Sequence, residues 1–532
     1  MNIYILLVSV VIIACIVGNK VSNKLGIPML LIFILLGMFF GSDGVIRIPF
    51  DNFKAAENIC SIALIFIMFY GGFGTKWQTA KPVAGRAVLL STAGVVMTAG
   101  LVGLFCHFVL KVGMVESFLL GSLVSSTDAA SVFSILRSKR LNLKYRTASL
   151  LEVESGSNDP CSYMLTMIII SILSGDNPTA GHIAYLVFAQ FVYGTLIGVV
   201  LAFLTVFVLN RVKFSTEGFD TIFVFAIVLL SYVIPSAVGG NGYLSAYLFG
   251  IILGNMRLGN KKTLVNFFDG LTGLMQMLVF FLLGLLSFPS EFPKVIIPGL
   301  AIAVFLTFVA RPLAVFMLLT PFKCPLRQQI LVSVAGLRGA ASIVFAIITI
   351  TNLDTVQYDV FHMVFFIVLF SILLQGMLLP VMAQKLDMID ESEDVLKTFT
   401  DYTDDVPVQF IQFTVREGHP WEGKKIREII LPPETILVQI QKGDSIITPT
   451  GNTVLEKGNI LILSARAPME EKAVRLTELE LENDNDWVGK RIAEIRLGPG
   501  KLILTIQRNG DVVIPNGGTI LQQGDVLMMK EG

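Results

Sequence analysis

Ten consecutive residues, LEVESGSNDP at 151–160, place three acids where the chain is otherwise apolar. Glu152, Glu154 and Asp159 lie within a segment, 147–174, whose length and composition predict a membrane-spanning helix. On insertion scales a charge at the centre of such a helix costs about 2.5–3.5 kcal/mol. An aspartate at that depth is therefore expected to bind an ion or a proton, because it has no favourable contact with lipid.

Other charged residues also interrupt apolar segments. Asp128 lies in SSTDAAS, Arg311 in FVARPLAVF and Arg338 in AGLRGAAS. At about 1.5 Å of rise per residue, Asp128, Asp159 and Arg338 all reach roughly the bilayer midplane. Two acids and two bases on separate helices can pair there or face a watery cavity. Convergence at the midplane is typical of the substrate sites of secondary transporters.

The residues around Asp159 supply oxygen ligands. Ser155 and Asp159 are four residues apart and therefore share a helix face, and Asn158 adjoins them. Pro160 has no N–H, so the carbonyl of Gly156 is expected to lack its helical donor. Carboxylate and neutral oxygens together are the ligands that a hard monovalent cation needs.

Two segments are predicted to be broken helices. The small polar run Ser125–Thr127 precedes Asp128, and Gly336 and Gly339 flank Arg338. Broken helices in corresponding halves of a chain indicate a transporter binding site, and such charges can neutralise the exposed helix ends. The alternative is packing, which is the commoner role of small polar residues in membrane helices.

Composition indicates a polytopic α-helical membrane protein. Of the 532 residues 54% are apolar and only 15% are charged, compared with about 25% charged in soluble domains. The apolar runs end near residue 385. About 13 spans are predicted, at 3–18, 27–41, 55–73, 83–110, 115–136, 147–174, 182–210, 218–236, 241–256, 262–287, 293–320, 328–350 and 358–385.

Charge in the loops predicts the orientation. With the N-terminus outside, the inner loops hold 17 Lys and Arg residues and the outer loops hold 4, as the positive-inside rule requires. An odd number of spans then places the C-terminal tail in the cytoplasm. The apolar N-terminus lacks a basic leader region and predicts a retained first span. Scattered cysteines and histidines predict no metal, disulfide or cofactor site, and no basic stripe indicates nucleic acid.

At this point the motifs match a known family. ESGSNDP, STDAASV and GLRGA, in this order over about 385 residues, resemble the signatures of cation/proton antiporters of the NhaP and sodium/proton exchanger branch. The resemblance implies a homodimer whose protomers have inverted repeats and two crossed broken helices. It also implies exchange of a monovalent cation for a proton across the bacterial inner membrane. Because position 158 is asparagine and not a second aspartate, one titrating charge carries the cycle, and an electroneutral exchange of one cation for one proton is expected.

The resemblance also assigns roles to residues. It implies that Asp159 is the ion- and proton-binding carboxylate, assisted by Asn158, Asp128, Thr127 and Ser155. It implies that Glu154 pairs with Arg311 and that Arg338 balances the charge of the crossed helices. Ala129 replaces the usual proline, and Tyr70 stands where some sodium-selective relatives carry an acid. The role of Glu152 stays open.

The tail predicts a separate module. Residues 386–405 are acidic and predict a linker, and two units follow at 406–470 and 471–532. Residues 421–463 align without gaps to 487–529, with about 16 identities and Gly-rich turns between short alternating strands. The units resemble the TrkA-C subdomain of potassium-transport regulators, the second as a degenerate copy. Two roles stay open for these units: regulation, with a nucleotide as the candidate ligand, and assembly of the dimer.

The sequence therefore predicts an antiporter in which H⁺ exchanges for a monovalent cation, K⁺, Na⁺ or Li⁺. The potassium-type tail favours K⁺. A TrkA-C-regulated cation channel is the alternative, but the chain carries no carbonyl filter of the TVGYG kind. The sequence shows no nucleophile and base at a spacing that would predict an enzyme.

Overall fold

The computed structural model describes residues 9–18, 20, 28–138, 141–175, 179–212, 216, 218–258, 261–353 and 359–390 of a helical unit. In the tail it describes 408–432, 435–442, 445–466, 476–481, 485, 487–495, 497, 502–508, 511–513 and 515–530. The chain divides into two compact units, Met1–Tyr402 and Thr403–Gly532.

The described residues of the first unit are mostly helical. Its main helices are α1 Ser9–Gly18, α2 Met29–Phe40, α3 Phe53–Gly74, α4 Ala84–Phe108, α5 Met114–Leu123, α6 Ala129–Ser138, α7 Thr147–Leu173, α8 Ala180–Arg211, α9 Phe219–Ala237, α10 Gly242–Asn255, α11 Lys261–Leu285, α12 Pro289–Phe322, α13 Leu326–Val334, α14 Ala340–Asn352 and α15 Val360–Lys385. Among the described residues, seven (α3, α4, α8, α9, α11, α12 and α15) are long and apolar enough to cross a membrane. The remaining helices are shorter or more polar. The prediction of a multi-pass membrane protein is therefore confirmed, whereas the number of spans stays a prediction.

Two of the predicted spans are broken helices, as the sequence predicts. The segment predicted at 115–136 forms α5 and α6, with residues 124–128 between them, and the segment at 328–350 forms α13 and α14, with 335–339 between them. The helix is lost where small polar residues and glycines contribute little helical propensity. The backbone N–H of Asp128 donates to the carbonyl of Leu337 at 2.8 Å, so the two breaks contact each other.

The end of the helical unit differs from the predicted linker. Met388 is fully buried in the same cluster as Leu379 and Ala383, and Leu143 pairs with Ile389 through an isolated β-bridge. Residues 386–390 therefore pack with the helices. The remaining linker residues, 391–405, lie outside the described part of the chain.

The second unit contains two small antiparallel sheets of identical strand order. The first has the order β1-β4-β2-β3 and the second β5-β8-β6-β7. The strands are β1 Val408–Thr414, β2 Thr435–Lys442, β3 Ser445–Ile447, β4 Ile460–Arg466, β5 Leu476–Glu480, β6 Leu502–Arg508, β7 Asp511–Val513 and β8 Val526–Lys530. Each sheet has its own apolar core. The second copy therefore retains the strand set of the first, although its sequence reads as degenerate.

Candidate ion-binding site

The polar residues of α7 face the interior of the protein. Glu154 and Asn158 are 1% exposed and Asp159 is 9% exposed. Pro160 lies inside the helix without ending it, and its carbonyl accepts a 2.9 Å hydrogen bond from Asn241 Nδ2. A membrane helix that buries a carboxylate and an amide in protein, away from lipid, has the arrangement expected of a functional site.

The break between α5 and α6 packs directly on this face of α7. Ser155 Oγ donates to the carbonyl oxygen of Thr127 at 2.5 Å, and Asn158 Nδ2 donates to Thr127 Oγ1 at 2.6 Å. Thr127 is thus held by two side chains of α7. The extended backbone at the break leaves its carbonyl and hydroxyl oxygens directed at the site, where a continuous helix would have used the carbonyl internally.

Two buried oxygens on consecutive residues of α7 accept no hydrogen bond from the described residues. They are Oδ1 of Asn158 and Oδ1 of Asp159, both buried. Leaving a buried acceptor without a donor costs about 1–3 kcal/mol. Asp159 has Asp128 and Arg338 within electrostatic range and the Ser126 hydroxyl beside it. A carboxylate oxygen and an amide oxygen are both ligands for a small cation, and the carboxylate can instead hold a proton.

Asp128 lies at the start of α6. Its Oδ2 accepts a 2.5 Å hydrogen bond from Ser131 Oγ, and its Oδ1 accepts a 3.3 Å bond from the backbone N–H of Ser131. An acid at this position satisfies a free N–H group and complements the positive end of the helix. The carboxylate also abuts the second break, since a Cβ on Gly339 would lie 2.0 Å from Oδ2.

Arg338 occupies the second break and reaches the first. Its Nη1 donates to the carbonyls of Ser125 and Ser126, at 2.9 and 2.5 Å. Its backbone N–H donates to Ser371 Oγ on α15 at 2.9 Å. The two carbonyls lie just beyond the C-terminal end of α5, which carries partial negative charge, so the guanidinium is well placed electrostatically.

Arg311 lies against α7 at Glu154. Its Nη1 is 2.6 Å from Glu154 Oε1, and both side chains are almost fully buried. Arg311 follows a π-helical turn at Leu306–Ala310, a local widening that is frequent at functional sites. A Cβ on Gly336 would lie 2.9 Å from Arg311 Nε, so the glycine makes room for the side chain.

Several residues that are hydrogen-bonded in a chain from Arg338 are not distinguished by the sequence motifs. Ser371 Oγ donates to Gln375 Oε1, and Gln375 Nε2 donates to Thr307 Oγ1 at 3.1 Å, which continues the chain of bonds from Arg338. Ser371 and Gln375 form a polar i,i+4 pair in the apolar central part of α15, and that spacing could have identified them. Tyr70, by contrast, stands out in the family resemblance, and its hydroxyl donates to Asp269 Oδ1 on α11 at 2.9 Å.

Two family profiles match the chain. The profile of the family described as sodium/hydrogen exchanger, transmembrane, matches residues 10–385. The TrkA-C domain profile matches residues 410–475 and again 476–529. The predicted resemblance to cation/proton antiporters with a TrkA-C-like tail is therefore confirmed, and both tail copies match.

Individual relatives cover most of the chain. The K(+)/H(+) antiporter NhaP of Alkalimonas amylolytica is 33% identical over 474 residues, covering 88% of this chain and 82% of that protein. The K(+)/H(+) antiporter NhaP2 of Shewanella oneidensis is 32% identical over 472 residues, with the same coverage. The sodium proton antiporter MjNhaP1 of Methanocaldococcus jannaschii shares the fold, with a TM-score of 0.62 and 24% identity over 71% of this chain and 99% of that one. This chain belongs to the transmembrane sodium/hydrogen exchanger family of monovalent cation/proton antiporters.

Proposed function

We propose that this antiporter exchanges K⁺ for H⁺ and that Asp159 carries both in turn. The observation that supports this best is the pair of buried oxygens, Asn158 Oδ1 and Asp159 Oδ1, that accept no hydrogen bond from the described residues. Thr127 and Ser155, which contact each other at the same point, contribute further neutral oxygens. Asp128 borders the site.

The exchange follows from competition for one carboxylate. A bound proton neutralises Asp159 and removes the charge that attracts a cation, whereas a bound cation requires the ionised form. Alternating access then lets the site release one ligand on one side and accept the other on the opposite side. Asn158 adds no second titrating charge, so we propose an electroneutral exchange of one cation for one proton.

Potassium is the cation that the comparisons favour. The relatives that match most of this chain are named as K(+)/H(+) antiporters, while the structurally similar MjNhaP1 is named as a sodium proton antiporter. The TrkA-C matches are in accord with potassium handling. Na⁺ and Li⁺ remain as competing substrates, and nothing in the comparisons supports the channel alternative.

The surrounding architecture is proposed on the same basis. The helices are consistent with 13 spans in inverted repeats, in which α5–α6 and α13–α14 are crossed broken helices. Glu154 and Arg311 form a structural ion pair, and Arg338 balances the helix ends. We place the N-terminus outside and the tail in the cytoplasm of a bacterium, with the protein as a homodimer in the lipid of the inner membrane.

The tail is proposed to regulate exchange. We take its domain boundaries as 406–470 and 471–532, behind the membrane domain 1–385 and the linker 386–405, whose first residues, 386–390, pack with the helices. A nucleotide is the candidate ligand. Deleting residues 400–532 is expected to alter the rate of exchange or its response to cytoplasmic conditions, measured in vesicles. A truncated protein with unchanged exchange under all conditions would argue for assembly alone.

Inverted membrane vesicles provide the central test. A respiration-driven pH gradient is imposed, and K⁺, Na⁺ and Li⁺ are added in turn while a fluorescent dye reports the internal pH. The native protein is expected to dissipate the gradient at the lowest concentration with K⁺. Asp159→Asn is expected to lose this response to every cation, because asparagine can release no proton. Full exchange by Asp159→Asn would refute the assignment.

A further inference from the structure

A second acid lies on the same face of α7 as Asp159. Glu152, Gly156 and Asp159 are spaced i, i+4 and i+7, so they follow one another along one helix face. At about 1.5 Å per residue, Glu152 and Asp159 are roughly 10 Å apart along the axis. Glu152 is 7% exposed, and the exchange cycle described above does not use it.

Tyr247 of α10 covers the space between the two acids. Its side chain is 2% exposed, and its ring and hydroxyl lie 2.2–2.6 Å from where a Cβ on Gly156 would be. Only a glycine at 156 therefore lets the phenol approach this closely. The hydroxyl has Glu152 and Asp159 within electrostatic range, with the Ser157 and Thr75 side chains beside it.

The hydroxyl of Tyr247 is buried and makes no hydrogen bond of normal geometry to the described residues, although a buried phenol usually has such a partner. A phenol oxygen can accept a cation or exchange a proton. The Tyr247 hydroxyl thus lies over Gly156, which is between Glu152 and Asp159 on this face of α7.

We propose that Glu152 and Tyr247 form a cytoplasmic antechamber, in which the cation is held before it reaches Asp159 and after it leaves. This inference rests on the proposed function and orientation, because the N-terminal end of α7 then faces the cytoplasm. Glu152 attracts the partly dehydrated cation, and the Tyr247 oxygen replaces one of its lost waters. Gly156 has no side chain because the phenol occupies that space.

The test compares the two faces of the membrane. Glu152→Gln and Tyr247→Phe keep the shape of each side chain but remove the charge or the hydroxyl oxygen. In proteoliposomes of defined orientation, with ⁸⁶Rb⁺ as the tracer for K⁺, each is expected to raise the cytoplasmic KM about tenfold, the equivalent of one lost charge-assisted contact. From the opposite face KM is expected to stay constant while Vmax falls, because the cation then leaves through the antechamber.

Two controls accompany the test. Glu291→Gln removes an acid that pairs with Lys294 far along the chain from this face, and it is expected to leave both KM values unchanged. Gly156→Ala should displace Tyr247 and reproduce the Tyr247→Phe kinetics. Native KM values at both faces in Glu152→Gln and Tyr247→Phe would overturn the proposal, as would a rise confined to the outer face. Those results leave Asp159 as the exchange site, whereas exchange that survives Asp159→Asn would refute the proposed function instead.

Discussion

The two helix breaks that meet in the membrane unit carry charges of opposite sign. The break at 124–128 contributes Asp128 and the carbonyls that Arg338 binds, while the break at 335–339 contributes Arg338 and the carbonyl that Asp128 N–H binds. Each break therefore supplies a partner for the other. These mutual hydrogen bonds are needed because non-helical backbone inside a membrane protein has no water to satisfy its polar groups.

The two charges differ in their reach. Arg338 bonds across to the other break, to two carbonyls beyond the end of α5. The Asp128 carboxylate bonds locally, to Ser131 in the first turn of its own helix α6. Arg338 therefore joins the two broken helices, whereas the Asp128 carboxylate completes the start of one helix. Loss of the base should therefore cost more than loss of the acid.

The largest effect is expected for Arg338→Gln. The shorter neutral side chain leaves the two carbonyls of the first break without their donor, and breaking a buried charged contact costs about 3–5 kcal/mol. Both the free energy of unfolding in detergent and the exchange rate should fall. Arg327→Gln is the matched control, because Arg327 is exposed and forms a 3.3 Å pair with Asp387. Equal stabilities of the two variants would contradict the cross-linking role.

A smaller effect is expected for Gly339→Ala. A Cβ there would lie 2.0 Å from Asp128 Oδ2 and 2.5 Å from Asp128 Cγ, so the acid must leave its position. Overpacking of this kind costs about 1–3 kcal/mol. Gly100→Ala in α4 is the control, since no described atom lies within 4 Å of its Cβ position. Unfolding measurements that rank the control as the more damaged variant would show that the breaks are not packed as described.

Much of this arrangement could be predicted from single positions. Asp128, Asp159 and Arg338 stood out because a charge in an apolar segment is costly and therefore has a reason to be there. The breaks were predicted from Ser125–Thr127 and from the glycines around Arg338, since both weaken a helix locally. These signals are local, so a sequence displays them.

The partners of those residues could not be predicted in the same way. Ser371 binds the backbone of Arg338, and Asn241 binds the carbonyl of Pro160, yet each lies 33 or 81 residues away along the chain. A serine or asparagine in a membrane helix more often serves packing, so its type alone does not mark it. The position of Tyr247 follows from its packing over Gly156, which the sequence does not display. Such contacts depend on packing between segments that are distant in the chain, and the periodicity of the sequence does not encode that packing.

The smallest effect is expected for Asp128→Asn, and it tests the local role of the acid. Asparagine can still accept from Ser131 and remains a good residue at a helix start. What it loses is the charge that complements the positive end of α6, which contributes about 1 kcal/mol. The unfolding free energy should therefore fall by less than in Gly339→Ala and far less than in Arg338→Gln. Asp220→Asn, at the first turn of α9, removes the same charge at a helix end outside the site and should cost no more. If Asp128→Asn destabilised the protein as strongly as Arg338→Gln, the acid would also be joining the two breaks, and the asymmetry between base and acid would be wrong.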